Sequence, residues 1–280
     1  MDQNASRISA VILAAGKGTR MKSDLPKVLH TVCGKTLLDH VIASVRLAGV
    51  SRIGLVLSTE LDAFETFLER EPEVDVCIQS LRRGTGDAVA SAAVFYEGVK
   101  KPRFAQLQLH RGSAGESDHV LICAGDTPAL DPTVMKEFLT SHIQSGASVS
   151  VLGMKIGDPT GYGRLVLSSD GKSLLSIVEH KDASEQERKI DICNTGVFIV
   201  RTKELFEYLD LLTDDNVQNE YYLTDIVAIA RRLKEKDGGT QRENAGAVVQ
   251  AFVTDKWEMF QGVNTPEQKA SVEAYMQSLG

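Results

Sequence analysis

Short apolar runs alternate with helix-like segments through the first half of the chain. Residues 8–15, 53–57, 74–78 and 120–124 are runs of strand length rich in Val, Ile and Leu, as expected of strands covered on both faces. Between them, residues 61–68, 85–96 and 132–144 read as helices, and Leu37–Leu47 repeats apolar residues at helical spacing most clearly. This order predicts an α/β fold: a Rossmann-like, mostly parallel or mixed sheet with helices on both faces. Such sheets bind ligands beyond the carboxyl ends of their strands, so the loops after Ala15, Ile78 and Ala124 are expected to face one cleft.

From about Ser148 the rhythm becomes strand-rich, with runs at 149–154, 163–167 and 192–200, a helix near 222–235 and a strand near 247–253. A mixed second half closing over the same sheet is expected. Residues 100–118 are polar, carry Pro102, Gly112 and Gly115, and show no period, so they read as a surface loop. Residues 236–246 form a second, weaker interruption rich in Gly, charge and amides. Neither repeats of about 20–50 residues nor the hexapeptide repeats of a left-handed β-helix occur.

Charge and cysteine usage narrow the picture modestly. A formal net charge of −7 argues against non-specific nucleic-acid binding, which rests on counterion release by Lys and Arg. Cys33, Cys77, Cys123 and Cys193 are too scattered for a zinc site or a disulfide framework. Three of them sit in or beside apolar runs and read as buried free thiols. The apolar residues 8–15 imitate a signal-peptide core, but Asp2 precedes them and Gly16-Lys17-Gly18 follows at once. A buried strand entering a phosphate loop explains them better. No apolar run approaches the ~20 residues of a membrane span, and a cytoplasmic protein is expected.

The strongest local feature is Leu13-Ala14-Ala15-Gly16-Lys17-Gly18-Thr19-Arg20-Met21, followed by Leu25-Pro26-Lys27. Small residues let backbone N–H groups approach a ligand. Lys17, Arg20 and Lys27 place three cations within eleven positions, enough to neutralise a polyphosphate and stabilise charge developing at phosphorus. The dinucleotide fingerprint fails because Met21 occupies its third glycine position. Gly34-Lys35-Thr36 imitates the end of a P-loop, but Leu29 stands where that motif needs glycine. An ordinary strand-to-helix turn is the plainer alternative.

Three later segments add chemistry. Gln79 and Gly84-Thr85-Gly86 follow the third strand. An amide offers both donor and acceptor to a base edge, although a polar loop with Thr85 as helix cap fits equally. Gly125-Asp126-Thr127-Pro128 puts a carboxylate at a strand end, a natural hard ligand for Mg2+, with a simple turn as the alternative. Asn219-Glu220-Tyr221-Tyr222-Leu223-Thr224-Asp225 opens a helix that Thr224 and Asp225 could cap.

The run 13–21 with Pro26-Lys27-Val28-Leu29-His30 resembles the opening of sugar-1-phosphate nucleotidyltransferases. It is most like the uridylyltransferase (pyrophosphorylase) domain of bifunctional N-acetylglucosamine-1-phosphate uridylyltransferase/glucosamine-1-phosphate acetyltransferases. The resemblance runs from about Ile8 to Gln268 and implies the nucleotide-diphospho-sugar transferase fold. It implies one nucleotidyltransferase domain over 1–280: a nucleotide-binding part at about 1–130, a sugar-binding part at about 131–265 and a C-terminal helix at about 266–280. No left-handed β-helix acetyltransferase domain, and hence no acetyl-CoA, is expected.

By the same resemblance Leu13, Ala14, Ala15, Gly16, Gly18, Gln79, Gly84 and Thr85 would bind the nucleotide. Arg20, Lys27 and Lys17 would act on the phosphates, and Asp126 with Asn264 of Gly262-Val263-Asn264-Thr265 would hold Mg2+. Gly163, Glu179, Asn194 and Asn264 would bind the sugar phosphate. The segment 219–225 would support the rim. The implied reaction joins UTP to N-acetylglucosamine 1-phosphate in a monomer or small homo-oligomer, with no nucleic-acid or membrane partner. Departures leave the substrate open: Ala124 stands where the family usually has tyrosine, Arg82 and Arg83 replace neutral residues, and Asp87 replaces histidine. Residues 100–118 also exceed the family's usual loop. Another sugar phosphate or nucleotide, or a silent UTP-binding regulatory protein, are the rival readings.

Overall fold

The computed structural model describes residues 7–111, 117–169, 171, 173–236 and 248–279. In chain order the elements begin with strand β1 (Ile8–Leu13), a small hairpin of β2 (Thr31–Val32) and β3 (Lys35–Thr36), helix α1 (Leu37–Leu47) and strand β4 (Arg52–Leu57). Then come α2 (Glu65–Arg70), β5 (Asp75–Ile78), α3 (Thr85–Ser91), β6 (Leu109–Arg111), β7 (His119–Ala124) and α4 (Pro132–Ser145). The second half holds β8 (Val149–Lys155), β9 (Arg164–Leu167), β10 (Leu174–Val178), β11 (Ile192–Arg201), α5 (Thr202–Leu209), α6 (Ile226–Lys236), β12 (Val249–Thr254) and α7 (Pro266–Ser278).

Among the described residues ten strands form one sheet, with central order β11-β7-β1-β4-β5. β1 pairs in parallel with β4 and β7, and β4 with β5. The long strand β11 runs antiparallel to β7 and carries β8, β9 and their partners β12 and β10 into the same sheet. The expected mixed sheet is therefore present, and β11 is the seam between its parallel and antiparallel halves.

Alternation along the buried strands sends side chains into two cores. Ala10, Ile12, Ile53, Leu55, Leu121 and Cys123 pack beneath α1, α2 and α4, while Val11, Val56, Val120 and Ile122 pack beneath α3, α5 and α6. Each fully buried Leu, Ile or Val contributes about 1.5–3 kcal/mol, so the parallel strands are held from both sides. α1 is set by a capping box in which the Thr36 hydroxyl accepts from the Asp39 N–H and the Asp39 carboxylate accepts from the Thr36 N–H. Asp131 and Pro132 start α4, and Gly146 at φ +65° ends it.

Several expectations need correction. The helix read at 85–96 is α3 followed by a 3-10 turn, Ala92–Phe95. That tightening lays the Phe95 ring on Gly54, where a Cβ would come within 2.5 Å of it. Residues 61–68 likewise begin as a 3-10 turn, Leu61–Phe64. The loop 100–118 contains β6, an antiparallel edge on β5. Arg111 fixes that edge by donating to the carbonyls of Leu68, Glu71 and Val74. β10 and α5 had no counterpart in the sequence reading, and the interruption at 236–246 falls almost wholly outside the described residues.

Candidate functional site

The loops after β1, β5 and β7 meet at the carboxyl ends of the parallel strands and enclose a cavity of about 540 Å³. Leu13, Ala14, Ala15, Gly16, Lys17, Lys27, Gln79, Gly84, Thr85 and Asp126 all line it. The first loop is tied on both sides: the Ala14 N–H donates to Val56 O at 2.9 Å, and the Gly125 N–H to Leu13 O at 2.9 Å. Gly18, at φ +63°, opens the 3-10 turn Thr19–Met21, and buried Met21 anchors that turn. Pro26 precedes a second 3-10 turn, Lys27–Leu29. Gly18 lies directly against Lys27, so the two turns are in contact.

Residues far apart in sequence converge at Lys27. Its ammonium contacts the Asp126 carboxylate and donates to Asn264 Oδ1 at 2.8 Å, while Arg20 Nη2 donates to the same Oδ1 at 3.0 Å. Asn264 is held by its backbone. The Val263 N–H donates to Asp126 O at 2.9 Å, and the Asn264 N–H to Gln268 Oε1 at 2.8 Å at the start of α7. Thr265 caps α7 by accepting from the Gln268 N–H. Helix capping thus fixes the asparagine beside the aspartate.

Asp126 and Asn264 offer one carboxylate and one amide oxygen, already gathered around one cation, the Lys27 ammonium. Among the described residues no group of three or more His, Cys, Asp or Glu is placed to hold a metal ion. The donor set fits Mg2+, which keeps several water or phosphate ligands and needs few protein oxygens. It does not fit an all-protein cage.

Gly163, Glu179 and Asn194 form a second cluster, on the antiparallel side. The Asn194 N–H donates to Gly163 O at 2.8 Å, and a Cβ on Gly163 would lie 3.4 Å from both Glu179 carboxylate oxygens. Glu179 Oε1 accepts from Thr224 Oγ1 at 3.1 Å. Burial raises the Glu179 pKa, the Thr224 bond opposes this, and Asp225, Asp182 and Glu220 push it further up. Arg164, 1% exposed, supports the cluster by donating to the carbonyls of Tyr162 and Arg188. The Thr224 hydroxyl, read in the sequence as a possible helix cap, donates to Glu179.

The segment 219–225, expected as support at the rim, joins the two clusters through pairings that its residues do not reveal in sequence. The Tyr221 N–H donates to Arg83 O, the Gly86 N–H to Tyr221 O at 2.7 Å, and the Leu223 N–H to Thr85 Oγ1. Glu220 lines the cavity beside them. Thr85 consequently accepts from the strip and makes no side-chain cap at α3. Arg82 also faces the cavity and donates to Ala15 O at 2.9 Å, bracing the glycine loop. Nothing in the spacing of these residues announces such pairings.

A glycine loop with clustered cations, opposed by a paired carboxylate and amide at the ends of parallel strands, defines an α/β protein built to handle nucleotide phosphates. Residues 10–190 match the MobA-like NTP transferase domain, and the chain belongs to that family. It is 37% identical over 264 residues to bifunctional protein GlmU of Clostridium botulinum, covering 94% of this chain and 51% of the relative. Identity to bifunctional protein GlmU of Parvibaculum lavamentivorans is 40% over 269 residues, covering 96% and 52%. The chain thus spans about half the length of these relatives, and the resemblance read from its motifs is borne out. Its fold matches a solved Bacillus anthracis protein, assigned as a glucose-1-phosphate thymidylyltransferase, in complex with a sucrose. That match has TM-score 0.69 at 16% identity and covers 98% of this chain and 96% of the other. Among the described residues no helix is long and apolar enough to cross a membrane.

Proposed function

We propose that the chain transfers a uridylyl group from UTP to N-acetylglucosamine 1-phosphate, releasing pyrophosphate and UDP-N-acetylglucosamine. The supporting observation is the convergence of Lys27, Arg20, Asp126 and Asn264 beside the glycine loop. A sugar phosphate is already an anion, so the reaction needs no protein nucleophile or base. An oxygen of the sugar phosphate forms the new bond to the α-phosphorus of UTP. The bond from that phosphorus to the αβ-bridging oxygen breaks, and its electron pair leaves with pyrophosphate.

The residues then act by positioning and charge. The backbone from Leu13 to Gly18 cradles the phosphates, Lys17 and Arg20 steady the departing pyrophosphate, and Lys27 holds the reacting phosphates. Gln79, Gly84 and Thr85 face the base. Gly163, Glu179 and Asn194 bind the sugar, whose hydroxyl and acetamido groups suit a carboxylate and an amide. Asp126 and Asn264 would hold Mg2+, which when bound supplies charge neutralisation across the phosphate oxygens. Ala124 in the cavity wall favours one alternative, an acceptor sugar larger or differently substituted at the place its methyl leaves open.

A pyrophosphate-release panel over UTP, dTTP, CTP, GTP and ATP, each with several sugar 1-phosphates, tests the reading. The highest kcat/KM is expected for UTP with N-acetylglucosamine 1-phosphate. A clear preference for another pair would replace the substrate assignment, and no release from any pair would end the transferase reading.

A further inference from the structure

The amide of Gln79 is oriented from behind. Gln79 is 5% exposed, and its Nε2 donates to Gly84 O at 3.2 Å and to Asp87 Oδ2 at 2.8 Å. A carbonyl and a carboxylate only accept, so turning the amide round would set oxygen against two oxygens. Asp87, 2% exposed, is itself clamped: Arg83 Nη2 donates to its Oδ1 at 2.8 Å. The Arg83 guanidinium lies 5.4 Å from the Tyr221 ring centroid and 5.9 Å from that of Phe104, and those two rings stack at 4.0 Å. Asp87 also sits in the first turn of α3, where the helix dipole favours negative charge. Among the described residues no donor reaches Gln79 Oε1, and Gln79 lines the cavity.

We propose that Asp87 is a specificity-determining positioning residue: by holding the Gln79 amide nitrogen it leaves only a hydrogen-bond acceptor facing the base. The cleft then selects a base with an imide N–H, such as uracil or thymine, over cytosine, whose corresponding ring nitrogen is itself an acceptor. This rests on the nucleotide reading of the cleft given above. Asp87 touches no substrate and acts through Gln79.

Two substitutions separate acceptor chemistry from packing. Asp87→Asn is isosteric, but with its oxygen kept by Arg83 it turns an N–H toward Gln79. Only Gly84 O, at 3.2 Å, then holds the amide nitrogen, so the amide loses its single orientation and its nitrogen can turn to the base. The UTP:CTP ratio of kcat/KM is expected to fall about tenfold to hundredfold, the effect of one mispaired buried polar group, mostly through KM. Asp87→Glu is bulkier yet still accepts only, so it should melt lower while keeping the preference for UTP. Both are read below their melting transitions. An unchanged ratio in Asp87→Asn, or a loss in Asp87→Glu as large as in Asp87→Asn, would overturn the proposal. If the unsubstituted protein released pyrophosphate from no nucleotide, the reaction itself would fail. The same two outcomes for Asp87 would then be read from UMP and CMP affinities by calorimetry.

Discussion

Gly18→Ala should damage both stability and turnover, whereas Gly16→Ala should spare stability. At Gly18 the backbone has φ +63°, and an added Cβ would lie 2.5 Å from Lys27 Cβ and 3.4 Å from Lys27 Cα. An L-residue in the left-handed region costs about 1–2 kcal/mol. Carbons need about 3.5 Å or more, so the glycine loop and the Lys27 turn must separate by roughly 1 Å. Rotating the lysine cannot relieve the overlap, because its Cβ is fixed to the backbone. Overpacking of this kind costs about 1–3 kcal/mol, giving a combined loss of about 2–5 kcal/mol. Moving Lys27 by that distance also separates it from Asp126 and Asn264, and such a misplacement can lower turnover by about 10²-fold. At Gly16 the φ is not left-handed and nothing lies within 4 Å of the added Cβ. Its substitution should leave stability within about 0.5 kcal/mol and raise KM for the nucleotide through crowding of the phosphates. Denaturant melts and pyrophosphate release read both effects. Wild-type stability and rate in Gly18→Ala, or equal destabilisation by the two alanines, would refute the reasoning.

Three further outcomes are expected. Arg20→Ala should lower kcat by about 10²–10³-fold, as removal of a transition-state charge partner does, and leave the melt nearly unchanged because Arg20 is exposed; near-normal turnover would refute its role. Asp126→Asn should raise the Mg2+ concentration needed for half-maximal activity, and an unaltered titration would exclude Asp126 as a ligand. Burial first, and Asp182 second, raise the Asp225 pKa from 3.8 to about 6. The folded state then retains a proton that the unfolded chain has released, so stability falls as pH rises through that window, by up to about 3 kcal/mol. Asp225→Asn should therefore be more stable than the parent above pH 6 and match it near pH 4, and a pH-independent difference in melting would contradict the cause.

What the sequence disclosed and what it hid follow from the range of the interactions. β1, β4, β5 and β7 were legible because strands covered on both faces must be continuously apolar, and α1 because its buried side chains recur on one face. α5 follows β11 without an intervening residue, so no turn signal separates them. The short β10 alternates only weakly between buried and half-buried positions. Within the site, the glycines and cations of the first loop were visible locally. Asn264, 237 residues from Lys27, was reached only through family resemblance. The Gln79–Asp87 bond was invisible: two polar residues eight apart carry no signal until a turn folds one behind the other.

The strip at 216–224 explains how these separate pieces can act together. One end is built on itself, with Asn216 Nδ2 donating to Glu220 O and Asn216 Oδ1 accepting from the Glu220 N–H. Its middle is hydrogen-bonded to Arg83, Thr85 and Gly86 on the parallel side. Its far end reaches Glu179 through Thr224 and Asp182 through Tyr222. Gly86 has no room for a side chain, because a Cβ there would lie 2.8 Å from Tyr221 O and 2.6 Å from Leu212 Cδ1. The loop at 83–86 and the Glu179 cluster therefore cannot shift independently without breaking backbone hydrogen bonds, which cost about 1–3 kcal/mol each when left unmade in a buried setting. The first cluster lies on the parallel side of β11 and the second is built on β11 and the strands beyond it, so the strip ties the two sides of the seam. The sheet fixes strand ends, and the strip adds a direct hydrogen-bonded link between the loop at 83–86 and the Glu179 cluster.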